Sequence, residues 1–181
     1  MPTNRKHLRT TKFLAVNGLI AAAYVVLTFT VPLLSFSAVQ FRLSELLAVL
    51  PVFYPPSIAG LGVGCLVSNL VGFFTGLNPI GLIDSVVGTA ATLLAAGCTY
   101  VIGRYLPRKG VLALAPLPPV IFNGLMVGAE LTFLFTDGFS GSIFFVNAGW
   151  VALGEIVVCY LLGVPLMLLL YRKNFYQRIF S

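Results

Sequence analysis

The chain has 181 residues, 59% of them hydrophobic and only 9% charged, with 11 Lys and Arg against 5 Asp and Glu for a net charge of +6. A soluble domain carries about 25% charged residues, so this composition, with a mean hydropathy of +1.00, excludes a soluble fold. The apolar runs are long and continuous rather than alternating, which argues for helices over a β-barrel and predicts an all-α membrane protein.

Residues 1–12 read as a basic tail with Arg5, Lys6, Arg9 and Lys12. A single membrane domain over 13–171 is expected to hold six helices, followed by a second basic tail at 172–181. The first helix should run from Phe13 to Leu34, enough to cross a hydrocarbon core of about 30 Å. It is too long for the core of a signal peptide, so a cleaved leader is not expected. The second, Leu43 to Phe53, is too short to cross alone as a straight α-helix, and stops at Tyr54-Pro55-Pro56 because proline lacks a donor and restricts the residue before it. The third should cover Ser57 to Thr75, before a turn at Gly76-Leu77-Asn78-Pro79. The fourth covers Leu82 to Tyr105 and the fifth Val111 to Phe135, irregular near Pro116, Pro118 and Pro119. The sixth covers Phe145 to Tyr171.

Cytoplasmic loops collect Lys and Arg. With both termini in the cytoplasm, Arg104, Arg108 and Lys109 fall on the same side as the tails, and Arg42 alone of the 11 basic residues falls outside. Cys65, Cys98 and Cys159 are scattered through apolar runs, which argues against a disulfide framework or a metal site. His7, the one histidine, lies in the basic tail and reads as solvated.

The acids are Glu45, Asp84, Glu130, Asp137 and Glu155, and in this topology none lies near the cytoplasm. Arg42 and Glu45 are three residues apart, so on a helix they share a face and can touch. Glu45 and Asp84 open the second and fourth helices. Asp137 reads as a solvated loop residue. Glu130 lies about 10 Å below Asp137, and Glu155 about 12 Å below Asn147, along their helices. Asn69 reaches a similar level, and Asn123 shares the Glu130 face but sits deeper. Charges at membrane depth face an interior or a water-filled cavity. Carboxylates gathered at one depth beside one arginine point to a cationic, hydrogen-bonding ligand. The plainer readings are an ion pair holding a helix end, an interhelical hydrogen bond at Asn69, and an interfacial aromatic belt for Phe36, Phe41, Phe73, Phe74, Phe144 and Phe145. Trp150, one turn beyond Asn147, is a candidate to stack on a flat ligand. Ala15, Gly18 and Ala22 follow the small-residue spacing that lets helices approach closely. They suit a partner near the cytoplasmic side, or packing within the chain.

Gln40-Phe41-Arg42-Leu43-Ser44-Glu45 resembles the Q-F-R-x-S-E signature of the QueT family, the substrate-binding (S) components of energy-coupling factor (ECF) transporters. Three further segments agree: Ala22-Ala23-Tyr24-Val25-Val26-Leu27-Thr28, Asp84-Ser85-Val86-Val87-Gly88-Thr89-Ala90-Ala91-Thr92-Leu93 and Gly154-Glu155. The resemblance covers nearly the whole chain. It departs in the first helix, where Gly18 stands for the small residue that opens the family's A-x-x-x-A coupling motif. It implies a subunit that captures a queuosine precursor, 7-aminomethyl-7-deazaguanine, at a bacterial cell membrane. It implies as partners a coupling transmembrane subunit and two ATP-hydrolysing subunits, which use the ATP, with no cofactor of the chain's own and no nucleic acid. On this reading the ligand site draws on Arg42, Glu45, Asn69, Asp84, Asn123, Glu130, Asn147, Trp150 and Glu155, and the partner surface on Ala15, Gly18 and Ala22. A subunit of the same class for another cationic heterocycle or vitamin is the alternative. An intramembrane enzyme would need a second membrane aspartate beside Asp84 or a buried histidine. A structural membrane protein would leave the carboxylates unexplained. The chain carries no P-loop, so ATP hydrolysis is not expected of it.

Overall fold

The computed structural model describes residues 3–37, 40–136 and 139–172, with side chains from residue 9 onward. All regular structure among them is helical: α1 (Thr3–Thr30), a single turn α2 (Pro32–Ser35), a 3₁₀ helix (Leu43–Val52), α3 (Ser57–Phe74), α4 (Gly81–Tyr105), α5 (Arg108–Leu114), α6 (Leu117–Phe135), α7 (Gly141–Val158), a π-helical turn (Cys159–Gly163) and α8 (Val164–Tyr171). Five stretches are long and apolar enough to cross a bilayer: Arg9–Thr30, Ser57–Phe74, Gly81–Tyr105, Arg108–Phe135 and Gly141–Tyr171. The chain is a multi-pass bundle of membrane helices.

Several boundaries differ from the sequence reading, each for a local reason. Helix already starts at Thr3, so most of the expected basic tail continues α1. The expected first helix breaks at Val31, whose backbone leaves the helical region (φ −134°, ψ 68°) because Pro32 follows it. The expected fifth helix is two, α5 and α6, parted at Ala115-Pro116, while Pro118 and Pro119 fit the first turn of α6, where no intrahelical donor is required. The last helix starts four residues early, at Gly141, and widens to a π turn just before Pro165, whose ring and missing N–H disfavour a regular turn there. Residues 137–138 and 173–181 lie outside the described residues, Asp137 among them.

The expected second helix is 3₁₀ over its ten residues, a length rare for that geometry. At about 2.0 Å per residue it advances about 20 Å, where an α-helix would advance about 15 Å. Its two ends meet opposite ends of α4. Arg42, just before it, reaches Asp84, and a Cβ on Gly103 would lie 3.0 Å from the Cα of Val52. Asp84 and Gly103 are separated by about 28 Å of helix axis. The segment runs through the middle of the bundle, with Ser44, Glu45, Ala48, Val49, Leu50 and Pro51 buried. Leu50 joins Ile20, Tyr24, Leu61, Cys65, Ala96 and Leu170 in one core cluster. The α1–α3 seam is tight: a Cβ on Gly64 would sit 2.6 Å from that of Tyr24, and the Gly60 amide donates to Asn17 Oδ1 at 2.8 Å.

Candidate ligand-binding site

The polar residues form a stepped column rather than a flat shelf. Its upper step centres on Arg42, which precedes the 3₁₀ helix in extended conformation. One guanidinium nitrogen, Nη2, donates to Asp84 Oδ2 at 3.2 Å and to Asn69 Oδ1 at 3.0 Å. The other, Nη1, lies 3.7 Å from the Cys65 sulfur. Asn78 Nδ2 donates to the same Asp84 oxygen at 3.0 Å, and Asn69 Nδ2 donates to the Asp84 carbonyl at 3.0 Å, tying α3 to α4. Gly88 makes room one turn further along α4: a Cβ there would fall 2.6 Å from Asp84 Oδ1 and 3.2 Å from Asn69 Nδ2.

The expected contact of Arg42 with Glu45 does not form. Arg42 lies outside the helix, so the shared-face geometry does not apply to it, and its partner is Asp84. Glu45 instead accepts a hydrogen bond on Oε1 from the Tyr24 hydroxyl of α1. Thr28, one turn on from Tyr24, donates to Ser44 Oγ at 2.8 Å, which docks α1 on the start of the 3₁₀ helix.

The lower step belongs to α6 and α7. Asn123 Nδ2 donates to Glu155 Oε1 at 2.8 Å. The Cys159 thiol faces Glu155 Oε2 at 3.5 Å and the Glu45 carbonyl at 3.7 Å. Glu155 therefore lies level with Asn123, seven residues and about 10 Å along α6 from Glu130, not level with Glu130 as the sequence suggested. The discrepancy follows from the early start of α7. Asn147 sits higher still, donating to Thr132 Oγ1 at 3.1 Å. Trp150 is 49% exposed and lies outside the column. Ala15, Gly18 and Ala22 are exposed on α1, and a Cβ on Gly18 would meet nothing within 4 Å, so this stripe does not pack against the other described residues.

Arg42, Glu45, Asn69, Asp84, Asn123, Glu130 and Glu155 are all buried, giving four carboxyl groups against one guanidinium. Several of their atoms have no hydrogen-bond partner among the described residues: Arg42 Nε, Glu45 Oε2, Asp84 Oδ1 and both oxygens of Glu130. Buried polar atoms are nearly always paired, and such a concentration of unpaired ones marks a place built to take a polar partner. Above the upper step lies a cavity of about 370 Å³, lined by Phe36, Ser37, Gln40, Asn78, Pro79, Ile80, Leu131, Phe135, Thr136, Ile143 and Asn147. Asn78 belongs to both cavity and column. Phe36 lies between them, its ring centroid 5.7 Å from the Arg42 guanidinium carbon. Gln40, buried and lining this cavity, has a φ of 44°, a conformation that costs a non-glycine residue energy and is held only where neighbours demand it.

Tyr24, Asn78 and Thr92 were not among the expected site residues. A tyrosine deep in a membrane helix needs a partner for its hydroxyl, which was the available signal for Tyr24. Asn78 read as turn chemistry, and Thr92 stood out only as a position of the Asp84–Leu93 segment that resembles the QueT family.

The family described as QueT transporter matches residues 14–172. The chain belongs to the QueT transporter family. A relative from Lactococcus lactis subsp. cremoris (strain MG1363), named "Queuosine precursor transporter QueT", is 35% identical over 79 residues, 42% of this chain and 43% of that protein. The aligned part thus spans less than half of that relative's length. No solved structure matches the chain. Within the QueT match lie the whole polar column and the cavity above it.

Proposed function

We propose that this QueT family member is the substrate-capture (S) component of an ECF-type ABC importer, taking 7-aminomethyl-7-deazaguanine from the outside for ATP-driven uptake. The observation that carries the reading is the buried column of four carboxyl groups and one guanidinium, rich in unpaired polar atoms, beneath an open cavity. A flat heterocycle with a donor-rich edge and an ammonium supplies both the hydrogen bonds and the positive charge that the column lacks. Family membership and the name of the Lactococcus lactis relative agree with a queuosine precursor.

The chain crosses the membrane six times in this reading, with both termini in the cytoplasm. The 3₁₀ helix makes the second crossing, supported by its contacts with opposite ends of α4. The cavity then faces outside, and Phe36 and Asn78 lie on the ligand's path inward. The exposed Ala15, Gly18 and Ala22 stripe of α1 is the surface for the coupling transmembrane subunit, which brings two ATPase subunits. Small side chains there permit close backbone approach.

Calorimetric titration of the purified protein tests the substrate. 7-Aminomethyl-7-deazaguanine should bind more tightly than guanine, which lacks the ammonium, and more tightly than cationic vitamins, which lack the guanine-like edge. Binding of a cationic vitamin in preference to the deazaguanine would transfer the protein to another substrate within the same transporter class.

A further inference from the structure

The four buried acids are not equally engaged. Asp84 Oδ2 accepts from Arg42 and Asn78. Glu155 accepts from Asn123 on one oxygen and faces the Cys159 thiol with the other. Glu45 accepts from Tyr24 on one oxygen. Among the described residues Glu130 has no hydrogen-bond partner on either oxygen, although only 6% of the residue is exposed. Arg42, the basic side chain buried in the column, is already committed to Asp84 and Asn69. A buried carboxylate without a counter-charge is costly, and the cost is relieved by a bound proton or by a cation that takes the proton's place.

The surroundings of Glu130 narrow the kind of cation. It lines a groove of about 320 Å³ between α4 and α6 whose other walls are apolar, among them Val87, Met126, Ala129 and Phe133. Glu130 is the only carboxylate among the described lining residues, and among the described residues no group of three or more acidic, His or Cys side chains is placed to hold a metal ion. Apolar walls around one carboxylate suit an ammonium carried on a short aliphatic arm. The methylene packs on the side chains and the charge meets the carboxylate.

The unpaired atoms elsewhere in the column have a different character. Glu45 Oε2 and Asp84 Oδ1 are acceptors and Arg42 Nε is a donor, and the Thr92 hydroxyl, beside Glu45 and Cys65, can be either. A guanine-like edge presents two N–H groups and one carbonyl, which calls for two acceptors and one donor. The division of labour between the acids follows from which of their oxygens are already occupied.

We propose that Glu130 is the residue that selects the ligand's ammonium, while Glu45, Asp84, Arg42 Nε and Thr92 read the edge of its ring. The assignment rests on the capture function proposed above and adds to it which acid sets the preference for an amine. The test compares calorimetric affinities for 7-aminomethyl-7-deazaguanine and for the analogue with a neutral nitrile in place of the aminomethyl group. Wild-type protein should prefer the amine. In Glu130→Gln that preference should shrink by about tenfold or more, the scale of one charge-assisted hydrogen bond. In Glu130→Asp, which withdraws the charge by one methylene and serves if the Gln variant does not fold, it should shrink by less. Glu45→Gln should weaken both compounds and keep the preference. An amine-to-nitrile ratio in Glu130→Gln or Glu130→Asp equal to that of wild type overturns the assignment. Wild type binding the two compounds equally overturns it too, with the capture function intact. Wild type binding neither compound refutes 7-aminomethyl-7-deazaguanine as the substrate, and the assignment with it.

Discussion

Replacing Asp84 by Asn removes one charge and almost no volume from the centre of the bundle. Arg42 and Asp84 are 3.2 Å apart with side-chain exposures of 4% and 1%, so neither charge has water to fall back on. Breaking a buried pair by neutralising one partner costs about 3–5 kcal/mol, because the other charge remains buried and uncompensated. The one oxygen that asparagine keeps can still accept from Arg42 and Asn78, but without the charge that strengthens both bonds. For a chain of this size about 1 kcal/mol corresponds to 2–4 °C in Tm. The loss should therefore appear as a fall of about 6–20 °C in thermal unfolding of the detergent-solubilised protein. Arg42→Met with Asp84→Leu should recover most of that stability, since apolar residues of similar size often replace a buried ion pair without penalty. The double variant should nevertheless fail to bind ligand in calorimetry, because Arg42 Nε and Asp84 Oδ1 are gone. An Asp84→Asn variant within about 3 °C of wild type, the equivalent of roughly 1 kcal/mol, would refute the claim that this pair is buried and tightly coupled. A double variant that still bound ligand would refute its place in the site.

Tyr24→Phe deletes only the hydroxyl that donates to Glu45; unfolding should report a loss of about 1.5–3 kcal/mol, the range for hydrogen bonds to charged groups, and calorimetry a weaker ligand. Gly88→Ala drives a Cβ to within 2.6 Å of Asp84 Oδ1; displacing a carboxylate held by Arg42 and Asn78 should cost about 1–3 kcal/mol and lower ligand affinity, whereas Gly97→Ala, with nothing within 4 Å, should do neither. Gly18→Leu fills open space on α1 and should leave calorimetric ligand binding intact while reducing copurification of the coupling subunit, and normal copurification with normal uptake would remove the stripe as a docking surface.

The helical membrane class was readable from composition, and most helix ends from Pro and Gly. Boundaries failed where two helices join without a polar break, as at Ala115-Pro116, and where one continues through a charged stretch, as α1 does from Thr3. The buried acids and amides were readable because polar groups in such an apolar chain stand out. Their pairing was not. Arg42 and Glu45 are neighbours in sequence, but the arginine precedes the helix and turns to Asp84, 42 residues away. The depth of Glu155 depended on where α7 begins, and a four-residue error there moves a side chain by about 6 Å. Asn78 carried a turn signal that concealed its second role, since the same side chain that suits a turn also reaches Asp84. The orientation of Trp150 depended on which face of α7 packs inward, which the even hydrophobicity of that helix did not reveal.

Ligand-protected labelling from outside tests most directly the central claim, that the column and its cavity capture a solute on the outer side. Ile143 lines the cavity and is 40% exposed, and it is no part of the hydrogen-bonded column. In Ile143→Cys, with the exposed Cys98 replaced by alanine, a membrane-impermeant maleimide applied to intact cells should label the new thiol, and saturating 7-aminomethyl-7-deazaguanine should slow that labelling several-fold. A thiol reachable only from the cytoplasmic face, or a labelling rate that saturating ligand leaves unchanged, would contradict the account.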